Sequence, residues 1–377
     1  MRLGALRPPP WLPSFTCSAI DLVNDRHFAV VVGINQYPAI GNLTAAHADA
    51  SDFYNWVVSA GGGGVPTGNV HLILSTAEPD VAAEKANPTT DEIYKALERC
   101  KEAAKTIPAL QWEDTRLYYY AAGHGIAPGE QDAALLAANV TDESLGRHIS
   151  CECLLKFFSD VQLFREVAIF ADCCRPRAAD KVRQIPPYWS DASIDNGDVS
   201  VFVGFAAIYG QLAYEEQDRP ADELRGYFSR ALLAGLNGDP DAADPKSGRV
   251  TSESLSGFIR ERMKQATPSN FRTPLRPWFS TPGAPGIDFG PARGGTFQPG
   301  RYPVKIDVAS VVVEGLNILD SGERVICPAT RQQGNSTTFE CELPVGLYEA
   351  VPSGPVTPPK TRTWAFRVTE GGANESF

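Results

Sequence analysis

LYYYAAGHG at residues 117–125 and VAIFADCC at residues 167–174 decide how this chain folds. Each is a continuous apolar run, the pattern of a strand buried on both faces in a parallel sheet, and each stops at a side chain able to do chemistry. In an open α/β sheet the carboxyl ends of the strands line the ligand crevice. The first run delivers His124 to that edge; the second, about fifty residues later, delivers Cys173 and Cys174. A thiol and an imidazole converging there are the nucleophile and the proton-transfer partner that a thiol peptidase needs.

Around these runs strands alternate with helices. HFAVVVG from His27 reads as a strand, Thr44 to Ala60 as an amphipathic helix and Val70 to Leu74 as a second strand. Thr89 with Glu92 three positions on makes a capping box for a helix from Thr90, in which Ile93, Ala96, Leu97, Cys100 and Ala104 keep helical spacing. A helix over Ser150 to Phe164 leads into the cysteine strand. VSVFVGFAAIYG from Val199 reads as a further strand, and helices over Gly226 to Gly238 and Thr251 to Ala266 follow. The expected fold class is α/β: a mainly parallel sheet flanked by helices. Residues 1–25 read as a Pro-rich arm, 26–267 as the α/β domain and 268–300 as a linker rich in Pro, Gly and Arg. Over 301–370, segments such as YPVKIDVASVVV, TTFECELPV and TWAFRV alternate between Gly and Pro turns and predict a small antiparallel β-sandwich.

Composition narrows the function classes. A formal charge of −11 disfavours nucleic acid or an anionic membrane as partner and suits a basic peptide. Eight cysteines in 377 residues are sparse for a secreted disulfide scaffold, which points to reduced thiols in a cytoplasm. The leader carries Pro8-Pro9-Pro10 instead of an apolar core, and no apolar stretch is long enough to span a membrane, so the expectation is a cytoplasmic protein. Cys151 and Cys153 with His148 lack structural zinc spacing, and the run Gly61 to Gly64 lacks the Gly-Lys-Ser/Thr of a phosphate loop.

The spacing and context of His124 and Cys174 resemble the caspase-like cysteine proteases, on their metacaspase and paracaspase side, as in a prokaryotic-type homologue with a C-terminal β domain. HFAVVVGINQYP resembles the family's opening strand and turn, and LTAAHADASDFYNWV its first helix with an aspartate; NPTTDEIYKAL, FAAIYGQLAYEE and GYFSRALLAGL stand where metacaspase-type chains have similar segments. The likeness runs from about Arg26 to Ala266. It implies that His124 protonates the departing amine and that the Gly125 N–H joins that of Cys174 in an oxyanion hole. Family chains carry the nucleophile two residues after an acidic or amide residue, which places it at Cys174 and leaves Cys173 a small buried hydrophobe. Arg175-Pro176 departs from the commoner His-Ser-Gly continuation, so the following loop is expected to differ in shape.

Specificity follows from the same resemblance. Asp172 and Asp49 match the acidic positions that hold an Arg or Lys at P1, the residue whose carbonyl is attacked, and Glu215 resembles a position on the far wall of that pocket. Two partly desolvated carboxylates favour a guanidinium fork, so cleavage after Arg is expected, with Lys second. The loop after the nucleophile offers Arg175, Arg177, Lys181 and Arg183 as activation-cleavage points for self-processing or for a separate activating protease. No cofactor is needed by this chemistry. Some metacaspases require calcium, and Asp239, Asp241 and Asp244 form an acidic loop without EF-hand spacing, so only a weak calcium dependence stays open. The expected partners are protein substrates with a basic P1 and a regulatory protein on the C-terminal domain, in a setting such as cell death or defence. The competing readings are an inactive adaptor of the same fold and an Asn- or Asp-specific relative.

Overall fold

The computed structural model describes residues 24–76, 81–178, 196–216, 223–281 and 286–292, isolated positions between them, and strands within 302–376. The arm up to residue 23, Lys181, Arg183 and positions 282–285 and 293–300 of the expected linker lie outside the described residues.

The central sheet contains β1 (His27–Gly33), β2 (Val70–Leu74), β3 (Arg116–Gly123), β4 (Glu166–Cys173), β5 (Ser200–Phe205) and β6 (Trp278–Ser280). Their order is β6-β5-β4-β3-β1-β2, parallel except for the antiparallel edge strand β6. The chain leaves β1 toward β2 and returns to the other side of β1 at β3, so the strand order reverses there and opens a crevice at the carboxyl ends.

Apolar residues on both faces of each strand explain the helices on either side. Val30, Val32, Tyr119, Ala121, Ile169 and Ala171 belong to the core that packs under α2 (Thr90–Ala104) and α3 (Cys151–Val161). Their alternates Ala29, Val31, Tyr118, Tyr120, Ala168 and Phe170 belong to the core under α1 (Ala46–Val58), α4 (Tyr227–Leu236) and α5 (Ser252–Gln265). The helix starts were legible: Thr89 and Glu92 form the expected reciprocal cap on α2, and Ser150 caps α3.

The segment expected to be a linker corrects the domain boundary. Trp278–Ser280 supplies β6, pairing with β5, and Asp288–Pro291 pairs with Arg249–Thr251. The Pro and Gly content of 268–300 concealed short aromatic stretches: the Trp278 ring stacks on Phe205 at 5.0 Å and the Phe279 ring on Phe202 at 5.8 Å. The α/β unit therefore extends past residue 267 to at least residue 292.

The C-terminal strands are β7 (Tyr302–Asp307), β8 (Gly315–Leu319), β9 (Val325–Arg331), β10 (Thr338–Leu343), β11 (Gly346–Ser353), β12 (Trp364–Val368) and β13 (Ala373–Ser376). They follow the order β12-β11-β8-β9-β10-β7-β13, antiparallel except for the β7/β13 pair. β9 pairs with β8 along most of its length and with β10 only through Thr330 and Arg331, so a single strand serves two halves, as at the corner of a sandwich. Val304, Ile306, Leu316 and Ile318 are buried at alternate positions, as a one-sided core requires.

Phe279→Ala should lower unfolding stability by about 2 kcal/mol in urea titrations, the cost of removing a large, partly buried ring from a packed face. A loss below about 0.5 kcal/mol would be the behaviour of a linker residue.

Candidate active site

The register of β3 on β4 sets the site. Gly123 lies opposite Cys173, so the next residue of each chain, His124 and Cys174, emerges at the same edge of the sheet. Residues alternate along β4: Cys173 points into the core shared with α2 and α3 and is only 1% exposed, while Asp172 faces the α1 and α4 side. Cys174, two residues beyond Asp172 and half-buried, lines with it a cleft of about 210 Å³ that also includes His124, Gly123, Asp49, Tyr214, Glu215 and Gly226. The cleft thus gathers five of the sequence-expected residues: His124, Cys174, Asp49, Asp172 and Glu215.

His124 is oriented from two directions. Its backbone N–H donates to the Tyr37 hydroxyl at 3.0 Å, and that hydroxyl donates to the Leu136 carbonyl at 3.0 Å. The Tyr37 and His124 rings meet edge to face with centroids 4.8 Å apart. Nε2 donates to the Gly41 carbonyl at 3.0 Å, which leaves Nδ1 as the unprotonated nitrogen of the neutral ring. Burial lowers the imidazole's pKa, opposed by the Gly41 hydrogen bond and the Glu215 charge. The Cys174 thiol donates to the Ala213 carbonyl at 3.5 Å, and burial, then the charges of Asp172 and Glu215, push its pKa up against that contact. At neutral pH the two groups are a thiol and an imidazole rather than an ion pair.

Gly125 is packed against the cysteine turn. A Cβ there would lie 2.5 Å from Cys173 Sγ and 2.7 Å from the Cys174 carbonyl oxygen, so only glycine fits. In the ribbon that follows, the Leu136 N–H donates to the His124 carbonyl and the Tyr37 hydroxyl bridges the His124 N–H to the Leu136 carbonyl, so 124 and 136 face each other and the Gly125 N–H turns away from that partner strand.

Two carboxylates converge on the start of α4, and a third holds the start of α1. Both oxygens of Asp49, from the first turn of α1, accept from the Gly226 N–H at 3.2 and 3.0 Å. Asp172 accepts from the Ser229 N–H at 3.1 Å and from the Ser229 hydroxyl, which also meets Tyr120. Glu215 accepts from the Ala45 N–H at 2.8 Å and from the Thr44 N–H. Helix-start N–H groups favour this negative charge, yet they do not offset the burial of two like charges. Asp49 is 2% and Asp172 9% exposed. Burial pushes Asp172 up to about 6, and burial followed by the charge of Asp172 holds Asp49 well above the usual carboxylate range. Gly226 runs between them: its Cβ would fall 2.1 Å from an Asp172 oxygen and 3.2 Å from one of Asp49.

The loop after Cys174 corrects one expectation. Arg175 is fully buried and is not presented for cleavage. Its guanidinium donates to the carbonyls of Asp132, Ala207 and Glu130 at 2.8, 3.0 and 2.7 Å and lies over the Phe205 and Trp278 rings, while its backbone N–H and C=O bond Gln211 and Gly210. The alternation of basic and small residues concealed this pin, since an Arg after a strand end reads as solvated. Arg177 is exposed, with its guanidinium over Tyr209, but the N–H of the following Ala178 is held by the Ala127 carbonyl at 3.1 Å. Tyr37, Ser229 and Gly226 had no role in the sequence reading; only their places in the quoted segments HFAVVVGINQYP and GYFSRALLAGL hinted at one. In the acidic loop, Asp239 bonds the Asp241 N–H and pairs with Arg262, and Asp244 accepts from Ser247; no group of three potential metal-ligating side chains occurs among the described residues.

The family described as Caspase domain matches residues 26–280. The chain belongs to the caspase-domain peptidase family. A probable protease of a Desulfuromonadales bacterium is 27% identical over 251 residues, covering 63% of this chain; the chain spans 30% of that relative's length. The crystal structure of caspase-1 from Spodoptera frugiperda superposes with a TM-score of 0.47 at 14% identity, over 72% of this chain and 92% of that one. No described helix is long and apolar enough to cross a membrane.

A carboxyl whose pKa is raised on folding destabilises the fold above that pKa and costs nothing below its unfolded value. For Asp172 the window runs from the ordinary Asp value of 3.8 to about 6. Asp172→Asn, whose amide oxygen can still accept from Ser229, should therefore raise the melting temperature at pH 7.5, by an amount bounded at about 3 kcal/mol of stability. Thermal melts should show the gain shrinking toward pH 4; a gain independent of pH would point to another cause.

Proposed function

We propose that the protein is a cysteine endopeptidase, metacaspase-like in its pocket, that cleaves substrates after Arg, with Lys second. The observation that carries the reading is that the cleft shared by His124 and Cys174 is lined by Asp49 and Asp172, buried carboxylates with a deficit of positive charge. A guanidinium entering there gives each carboxylate a counter-charge and two-pronged hydrogen bonds, which a P1 Asp or Asn cannot do. Neutralising Asp172 and Glu215 also removes their upward push on the Cys174 thiol, so the correct P1 side chain eases formation of the thiolate.

In the reaction Cys174 Sγ attacks the scissile carbonyl, and its proton passes through His124 Nδ1 to the departing amine. The developing oxyanion is received by the N–H groups of Cys174 and Gly125. Water, deprotonated by the same imidazole, then attacks the thioester and releases the new carboxyl terminus, restoring the thiol. Tyr37 and the Gly41 carbonyl hold the ring, so Tyr37 is a positioning residue. Activation by cutting the loop after Cys174 belongs to Lys181 and Arg183 in this reading, and regulation or partner binding to the C-terminal strands. A cytoplasmic, cofactor-independent enzyme is consistent with the cysteine usage and with the chemistry.

Fluorogenic peptides differing only in P1 test the reading. Arg should be turned over best, Lys less and Asp or Asn barely; Cys174→Ala should abolish turnover, whereas Cys173→Ala should retain it. Preference for Asp or Asn, or an active Cys174→Ala protein, would overturn the assignment. The kcat/KM for the Arg peptide should rise with pH through about 6 as Asp172 ionises, and the part of the rise that Asp172 contributes should be lost in Asp172→Asn. Gly226→Ala, which drives a methyl into the carboxylates, should lower kcat/KM for Arg about 100-fold, the scale of an ångström misplacement.

A further inference from the structure

We infer that the enzyme reads a second feature of its substrate: an acidic side chain within a few residues of the scissile arginine, received in a basic groove that adjoins the catalytic cleft. The inference rests on the peptidase reading and adds a subsite of opposite charge.

The groove, about 530 Å³, runs between residues 210–214 and 270–276 and shares Tyr214 with the catalytic cleft, so one extended peptide can occupy both. Among the described residues its lining contains Arg272 and Arg276, both exposed, and no carboxylate; the catalytic cleft's lining contains Asp49, Asp172 and Glu215 and no Lys or Arg. In a chain of net charge −11, two arginines in a groove free of carboxylates are a local reversal of sign. Their planar donors suit a carboxylate.

The walls are preorganised. On one side Arg175 clamps the loop through the Gly210 N–H and the Gln211 carbonyl. On the other, the Phe271 N–H donates to the Pro268 carbonyl, the Leu275 N–H donates to the Thr267 hydroxyl, and Leu275 itself is buried in the core. Tyr214 and Phe271 meet edge to face at 4.7 Å, and Leu212, 50% exposed, adds apolar surface beside them. Such walls cover the stem of a Glu side chain while the arginines take its head.

The experiment scans Glu, Gln and Lys one position at a time on either side of Arg in otherwise identical peptides. At one position the Glu peptide should exceed its Gln congener in kcat/KM by roughly three- to tenfold at low salt, and the ratio should shrink at high salt. The ratio should collapse toward one in R272Q/R276Q, and R272E/R276E should prefer the Lys peptide, an inversion that structural damage would not produce. The same ranking should appear as affinity in anisotropy titrations of labelled peptides with the Cys174→Ala protein. Arg turnover indifferent to Glu at every position, or a Glu preference that survives in R272Q/R276Q, would overturn the inference and leave the peptidase reading standing. Glu-dependent binding to the Cys174→Ala protein, with no peptide cleaved by the unaltered enzyme before or after nicking of the loop that follows Cys174, would sustain the groove and sink the peptidase reading. Neither cleavage nor Glu-dependent binding would remove both.

Discussion

Two carboxyl groups buried beside each other under the first turn of α4 hold this site in tension. Asp49 comes from the helix after β1, Asp172 from the end of β4, and both are bonded by the N–H groups of the segment 226–229. Three separate elements thus meet at a point where negative charge is kept out of water. The N–H groups compensate in part, but the raised pKa of Asp172, about 6, records what is left over. A cavity so charged is complementary to a desolvated cation and poor for an anion. Substrate preference, in this account, is an imbalance that folding leaves for the substrate to relieve.

The proposed reacting pair depends on a plainer constraint. Parallel pairing of β3 and β4 puts Gly123 across from Cys173, and the side of the strand on which each cysteine falls separates their fates. Cys173 completes a core; Cys174 reaches the cleft and rests on the Ala213 carbonyl, and His124 rests on that of Gly41. Neither group is charged at rest. The site spends no stability on a buried thiolate-imidazolium pair, and in the proposed reading the cation of a basic substrate lowers the barrier to making one.

Much of this arrangement was legible because the signals were local. Apolar runs ending at His124 and Cys174 marked the strands, Thr89 and Glu92 marked α2, and the period-two alternation after residue 301 marked the C-terminal strands. The sequence signals failed where partners are remote. Arg175 reads as a solvated loop residue until the carbonyls of Glu130, Asp132 and Ala207 and two aromatic rings are brought around it. Trp278 and Phe279 were hidden by the prolines and glycines around them, although a three-residue edge strand needs little more than two rings to pack. Gly226 carries no pattern at all: its importance is that two carboxylates from distant segments press on it.

The measurement that tests the central claim most directly is a crystal structure of the protein inactivated by a peptidyl-arginine chloromethyl ketone. The account predicts a thioether at Cys174 Sγ, with the guanidinium between the carboxylates of Asp49 and Asp172. Modification at Cys173, or a Cys174 adduct whose guanidinium lies away from both carboxylates, would contradict it.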